Sequence, residues 1–294
     1  SFEHVADSGI LDRQHVVIHV LNGAAAISEE DERLHDLIEK SAARRVTVVN
    51  KVDVLDEQEK REFAESVTDR LGLYEGDWLF VSAKRHVNVD QLVRHIADIL
   101  PEAMQDAFIG QQGADIRLKE SRVRTLVYSK ATLCAGVALT PIPIADVMVI
   151  TPIQVAMVAA VGFFYGIEVT RDRVAELMAV LGAGFGLREA ARQLLKLVPG
   201  AGPVVSAGIA FAGTVALGEA ANLWFKGKMR VPAEELRDIF ERTAELARQE
   251  YDAHRADAEA ASAEVAELRL QHRDGKLTDD EFDRLLADLL GRPD

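Results

Sequence analysis

Two short polar runs follow directly on two apolar ones. Val46-Thr47-Val48-Val49 leads without a break into Asn50-Lys51-Val52-Asp53, and Leu79-Phe80-Val81 leads into Ser82-Ala83-Lys84. Apolar, β-branched runs of this length read as strands covered on both faces. Residues just past the carboxyl end of a parallel strand lie where open α/β sheets bind ligands. An ionised Asp53 offers two acceptor oxygens that can take two parallel N–H donors. One edge of guanine presents such a pair, and adenine does not. A small residue at Ala83 lets the backbone approach a base, and the apolar stems of Lys51 and Lys84 can cover its two faces. Alone, Asn-Lys-x-Asp reads as a solvated loop. Two such runs on successive strand ends, separated by one helix, point to recognition of a nucleotide base.

The elements that must hold these residues follow from the pattern over 14–100. Val16–Leu21 is a further β-branched run, ended by Asn22-Gly23. Residues 28–43 read as a helix with Ser28 as N-cap and Asp31 three places on. Helices over 56–71 and 89–100 follow the strands at 46–49 and 79–82. Strand–helix alternation at this spacing predicts right-handed crossovers and a parallel sheet, hence an α/β fold. Val16-Val17-Ile18 is apolar on both faces and carries no protecting charge, a liability if that strand lies at an edge. His19, the polar residue in it, reads as a satisfied core or rim histidine.

Beyond residue 100 the character changes. The polar stretch 101–125, with Gly110 and Gly113, reads as a linker. Residues 126–230 are rich in Ala, Gly, Val and Ile, and from Val147 to Ile167 there are 21 residues without a charge. Thr151-Pro152-Ile153-Gln154 is a capping pattern with Pro at the first helical position. A helix from 152 to 167 is roughly 24 Å long, short of a hydrocarbon core of roughly 30 Å. Thr140-Pro141-Ile142-Pro143 and Pro199-Gly200-Ala201-Gly202-Pro203 read as further breaks, with 203–218 uncharged until Glu219. Ser206, Ala210, Gly213 and Ala216 predict close helix approach. Short hairpins are expected, either in contact with a membrane, with Lys226, Lys228 and Arg230 after the second run, or as the core of a soluble helical domain. Asp146 reads as a helix-start residue, with an intramembrane acid as the functional alternative.

Residues 231–294 hold 18 acidic and 9 basic side chains, so −9 of the net −14 lies there. A long charge-laced helix over 233–272 is expected, with Arg237/Glu241 an attractive pair at i,i+4 and Glu241/Glu245 a repulsive one. The net charge indicates no nucleic-acid partner bound through counterion release. The single cysteine, Cys134, excludes an internal disulfide and a cysteine-rich metal site. Ser1-Phe2-Glu3-His4 does not read as a signal peptide, which makes a cytoplasmic setting the expectation, and the missing initiator Met suggests a processed or truncated start.

Asn50-Lys51-Val52-Asp53 and Ser82-Ala83-Lys84 resemble the NKxD and SAK motifs of the Era-like GTPases of the translation-factor class. The resemblance covers residues 1–100, as the C-terminal half of a G domain. It implies that Asp53 pairs with the guanine N1 and N2 donors and that Asn50 and the Ala83 backbone N–H serve the O6 side. Lys51 and Lys84 would flank the ring, with GTP or GDP as the ligand. Half of that machinery is not in these residues. There is no G-x-x-x-x-G-K-[ST], and no D-x-x-G stands before Val16. Hydrolysis and Mg²⁺ binding are therefore expected only of a chain that carries the phosphate-binding half upstream, with a degenerate non-hydrolysing homologue as the alternative.

Residues 120–228, through Thr140–Asp146, Thr151–Met157, Tyr165-Gly166 and Pro199–Gly202, resemble the uncharacterised domain-of-unknown-function family 697. That family follows Era-like G domains in bacteria, which implies contact with the inner membrane, peripheral or integral. Residues 265–290 resemble the short C-terminal SHOCT hairpin, with the turn at Gly275 and Thr278 capped by Glu281, which implies homo-oligomers through the C-terminal helices. The expectation is a GTP-binding protein with four segments: 1–100, linker 101–125, apolar helices 126–230 and acidic tail 231–294. The alternative is a non-enzymatic membrane adaptor with a relic α/β interaction module.

Overall fold

The computed structural model describes residues 10–139, 145–182 and 202–291. Two compact units meet in the chain between Leu118 and Lys119. The first holds β1 (Val16–Asn22), α1 (Glu29–Glu39), β2 (Arg44–Asn50), α2 (Glu57–Leu71), β3 (Trp78–Phe80), α3 (Val89–Ile99) and α4 (Glu102–Gln111). The strands form a parallel sheet in the order β1-β2-β3. Val16 pairs with Arg44 and Asn22 with Asn50 at the two ends of β1, and Thr47 to Val49 pair with Trp78 to Phe80.

Local chemistry starts the helices where the sequence puts caps. The Ser28 hydroxyl accepts the Asp31 N–H at 3.2 Å while the Asp31 carboxylate accepts the Ser28 N–H at 2.8 Å. Asp56 and Glu59 make the same reciprocal pair at the start of α2. On one face of the sheet Leu21 and Val49 pack with Phe63, Val67 and Leu71 of α2. On the other, Val46, Val48 and Val81 pack with Ile96 of α3, and Phe108 of α4 lies against them. The continuous apolar sequence of β2 is thus matched by cover on both sides. β1 is an edge, and its Ile18 and Val20 are 43% and 54% exposed.

His19 departs from expectation. It is 2% exposed, but neither ring nitrogen has a hydrogen-bond partner among the described residues. It lies on the buried face of β1 with Leu21, and the ring it faces is that of another histidine, His35.

The polar stretch after Pro101 is helical rather than extended. It forms α4 and the first turns of α5 (Ile116–Leu139), with a hydrogen-bonded turn between them. There the Gln112 side-chain oxygen accepts the Ala114 and Asp115 N–H groups, both at 2.8 Å. Asp115 caps α5 through the Arg117 and Leu118 N–H groups at 2.9 and 3.0 Å, and Arg94 donates to its carboxylate at 2.6 Å. The expected linker is thus helical, and the boundary between the two units, after Leu118, falls within it.

The second unit continues with α6 (Ala145–Phe164), α7 (Arg171–Gly182), α8 (Gly202–Lys226), α9 (Ala233–Arg273) and α10 (Asp279–Gly291). Two of these helices are longer than the sequence suggests. α6 runs through Pro152, whose ring removes one backbone bond without ending the apolar run on either side. α8 runs beyond the uncharged stretch, through Glu219 to Lys226. Asn222 donates to Glu219 at 3.4 Å and takes the Tyr165 hydroxyl at 2.6 Å. Val204–Lys226 is the one described helix long and apolar enough to cross a membrane by length and composition, with mean hydropathy 1.6, and 61% of that apolar stretch is buried within the protein.

Close helix approach occurs, with Ala210 packed against Leu133, Cys134, Val137 and Ile153, and at two glycines the sequence reading did not single out. A Cβ on Gly218 would lie 2.4 Å from a Val127 methyl of α5, and one on Gly136 would lie 2.9 Å from the Ala258 carbonyl of α9, whereas Gly213 has open space. Arg237 reaches the Val180 carbonyl at 2.9 Å rather than staying on its own helix face. The C-terminal hairpin turns at Gly275, with φ of 72°, and Thr278 and Glu281 cap α10 reciprocally. The expected breaks at 140–143 and 199–201 lie outside the described residues, as does the side chain of Asp146 in the first turn of α6.

Candidate functional site

The carboxyl edge of the sheet gathers all six residues singled out from the sequence. β2 ends on Asn50, and Lys51 turns the chain with a left-handed φ of 70°. That conformation costs a non-glycine residue about 1–2 kcal/mol, offset here because the Asn50 side-chain oxygen accepts the Lys51 N–H at 2.8 Å. The turn continues as a short 3₁₀ helix, Val52–Val54, anchored by the buried Val52, whose N–H donates to the Val81 carbonyl at 3.1 Å. On the β1 side the Gly23 N–H donates to the Asn50 carbonyl at 2.9 Å. A Cβ on Gly23 would stand 2.8 Å from that oxygen, so the close approach requires glycine.

The second loop is closed on itself. Val81 donates to the Val49 carbonyl at 2.8 Å, and Ser82 and Val87 exchange backbone bonds at 3.0 and 3.1 Å. Between them the chain presents Ala83, Lys84, Arg85 and His86, all exposed. The Ser82 hydroxyl accepts the Arg85 N–H at 3.1 Å. Asn88, at φ 55°, donates its side-chain amide to the Phe80 carbonyl at 2.9 Å and so ties the far end of the loop back to β3.

Two bonds join the loops. The buried Ser82 hydroxyl donates to Asp53 Oδ1 at 2.5 Å, and the Ala83 N–H donates to Asn50 Oδ1 at 3.0 Å. The Ser82 bond is the main cause holding the Asp53 carboxyl below its ordinary value, with Arg85 and Lys84 acting the same way. Asp53 is therefore an anion at neutral pH, fixed through one oxygen and exposed to solvent beyond it. Lys51 and Lys84 are both exposed. The arrangement can accept a pair of N–H donors at a fixed carboxylate between two mobile cations.

Sequence reasoning missed Gly23, Arg85 and Asn88. Asn88 precedes a helix, the usual signal for an N-cap, but its side chain serves the Phe80 carbonyl and makes no cap bond. Gly23 carried a visible turn signal, and its role against Asn50 needed the sheet order.

Residues 109–246 match the family model described as "Domain of unknown function (DUF697)". Among curated proteins, the chain is 29% identical to GTPase Der of Thermosipho melanesiensis over 145 residues, 46% of this chain and 31% of that protein. It is 39% identical to GTPase Der of Thermotoga petrophila over 88 residues, 30% of this chain and 19% of that protein. For GTPase Der of Thermotoga sp. strain RQ2 the identity is 33% over 92 residues, 30% and 20% of the two chains. The chain thus spans less than a third of the length of these relatives. No solved structure matches it.

Proposed function

We propose that the α/β unit selects guanine nucleotides and that the helical unit carries the consequence to a membrane surface. The observation that supports the first part most is the fixed Asp53 carboxylate, bonded to Ser82 beside the Asn50–Ala83 pair at the carboxyl edge of a parallel sheet. The similarity to GTPase Der points the same way. In this reading Asp53 accepts the two N–H donors of the guanine edge, Asn50 and the Ala83 N–H face its carbonyl, and Lys51 and Lys84 cover the ring. To serve a carbonyl, the Ala83 N–H must turn from, or share, its present bond to Asn50. Mg²⁺ needs a phosphate-loop Ser or Thr and a carboxylate placed beside it; no G-x-x-x-x-G-K-[ST] occurs in these 294 residues, and no D-x-x-G stands before Val16.

The test is Asp53→Asn. An amide offers one acceptor and one donor where the carboxylate offers two acceptors, so preference should move from guanine toward xanthine nucleotides. Unchanged preference, measured by competition with a fluorescent guanine nucleotide on a chain that includes the phosphate-binding half, overturns base selection by Asp53.

The exposed Ile18 and Val20 of β1 favour a second reading, an adaptor in which the α/β unit binds a protein. For the membrane part, the apolar stretch Val204–Lys226 and the exposed Lys228 and Arg230 after it supply a lipid-compatible surface. Lys226 is already paired with Glu120. Flotation of the full chain with anionic vesicles is the expected result. Protein that stays at the bottom of the gradient makes α8 a core helix.

A further inference from the structure

His19 of β1 and His35 of α1 face each other with ring centroids 5.8 Å apart and planes 28° from parallel. They are 2% and 4% exposed, and both nitrogens of His19 and Nδ1 of His35 are buried without a hydrogen-bond partner among the described residues. Burial, and secondarily His35, hold His19 below its ordinary value, while Asp31 pulls the other way. Among the described residues, no element brings a hydrogen-bond partner to either nitrogen of His19. On α1, Asp31 is engaged in the Ser28 capping pair, and Glu39 lies 3.9 Å from His35 Nε2 but is also bonded to Arg45 of β2. On β2 the residue opposite His19 is the buried Thr47. α2 turns Phe63, Val67 and Leu71 inward, and its Arg70 is held by Glu32 at 2.6 Å. The cleft beside His35 is also lined by Asp36, Lys40, Asp77 and His95.

We propose that this pair is a proton-operated latch, closing β1 against α1 while His19 is neutral and releasing that contact when His19 takes up a proton. An imidazolium here would be stripped of water, without a carboxylate in bonding distance, against a second ring. Opening the contact returns it to solvent. Between the lowered value of the closed form and the ordinary histidine value of 6.5, the open form binds a proton that the closed form does not. The ratio of closed to open therefore falls about tenfold for each pH unit across that window, and above it the ratio is flat. Displacement of β1 would reach the loop edge, because Asn22 pairs with Asn50 and Gly23 is bonded to its carbonyl. The latch itself does not depend on the guanine reading.

The test is hydrogen exchange on the full chain between about pH 7.5 and pH 5.5, corrected for intrinsic rates. Protection of peptides in β1 and α1 should fall about tenfold per pH unit below the ordinary histidine value while the helical unit holds. His19→Leu should make those peptides flat with pH. Flat protection in the wild type, or an unchanged fall in His19→Leu, overturns the latch. If His19→Leu does not fold, the wild-type titration of ¹³C-labelled histidine decides. A His19 midpoint below 6.5 that moves together with β1 amide shifts supports the latch, and a midpoint at or above 6.5 overturns it.

Discussion

Ala83 presents its backbone N–H to the Asn50 side-chain oxygen at 3.0 Å, so two groups expected to meet a purine carbonyl are bonded to each other. The same Asn50 oxygen also takes the Lys51 N–H. One side chain therefore holds the strained turn after β2 and the loop after β3. Asn50→Ala should lower stability by about 1 kcal/mol, the net worth of an ordinary hydrogen bond. It should also speed amide exchange at Lys51 and Ala83 above that of the neighbouring strand residues. Urea unfolding and residue-resolved exchange check the two parts.

The Ser82–Asp53 bond has a consequence for titration. A carboxyl held below its ordinary value contributes stability that is complete above that value, 3.8 for aspartate, and is lost as pH falls through the lowered one. Ser82→Ala should raise the Asp53 midpoint toward 3.8 and leave acid unfolding less steep in that range. Carboxyl ¹³C titration of the two proteins measures the shift; an Asp53 midpoint that stays put would remove Ser82 from the account.

His86 and Asn88 both sit at left-handed φ, 56° and 55°, in the same loop. Glycine at such a position removes steric cost but adds freedom to the unfolded chain. For the exposed His86, whose side chain has no described bond, His86→Gly should raise stability by about 0.5–1 kcal/mol. Asn88→Gly also loses the bond to the Phe80 carbonyl and should come out neutral or negative. Opposite signs at matched φ, read from denaturant midpoints, are the expected outcome.

In the helical unit, Gly136→Ala sets helix propensity against overpacking. Alanine is favoured over glycine by about 1 kcal/mol inside a helix. The added Cβ, however, meets the Ala261 Cβ at 2.8 Å and the Ala258 carbonyl at 2.9 Å, and backbone cannot move aside as a long side chain can. Overpacking costs about 1–3 kcal/mol, so the variant should be less stable. A raised thermal midpoint would mean that α5 and α9 separate more easily than their contact suggests.

The α/β unit was readable because its strands are unbroken β-branched runs and its helices open on capping pairs, signals that do not depend on tertiary context. The loop residues were readable because their chemistry is concentrated at two strand ends. Three features were not. Over 101–125 the polar linker is built of two helices, with Gln112 and Asp115 making the turn between them through side-chain bonds, which composition does not show. The bond from Tyr165 to Asn222 of α8, 57 residues apart, is one that no linear pattern reveals. His19 was taken as satisfied, whereas the ring opposite it, on α1 and 16 residues further along the chain, offers no hydrogen bond.

Among the residues that the long helix α9 buries, Ala244, Tyr251, Ala258 and Val265 recur at seven-residue intervals, with Leu236 and Ala247 outside the series. A seven-residue repeat on a helix of 3.6 residues per turn drifts around the cylinder, so partners that follow it wind left-handedly. Three of the four teeth on this thread are small. The fourth, Tyr251, stands 3.3 Å from where a Cβ would be on Gly208 of α8. Sliding α9 by one repeat would bring alanine or a different neighbour to that notch and leave the ring without its gap. On a helix roughly 60 Å long, the one large residue of the repeat thus marks where α9 meets the notch on α8.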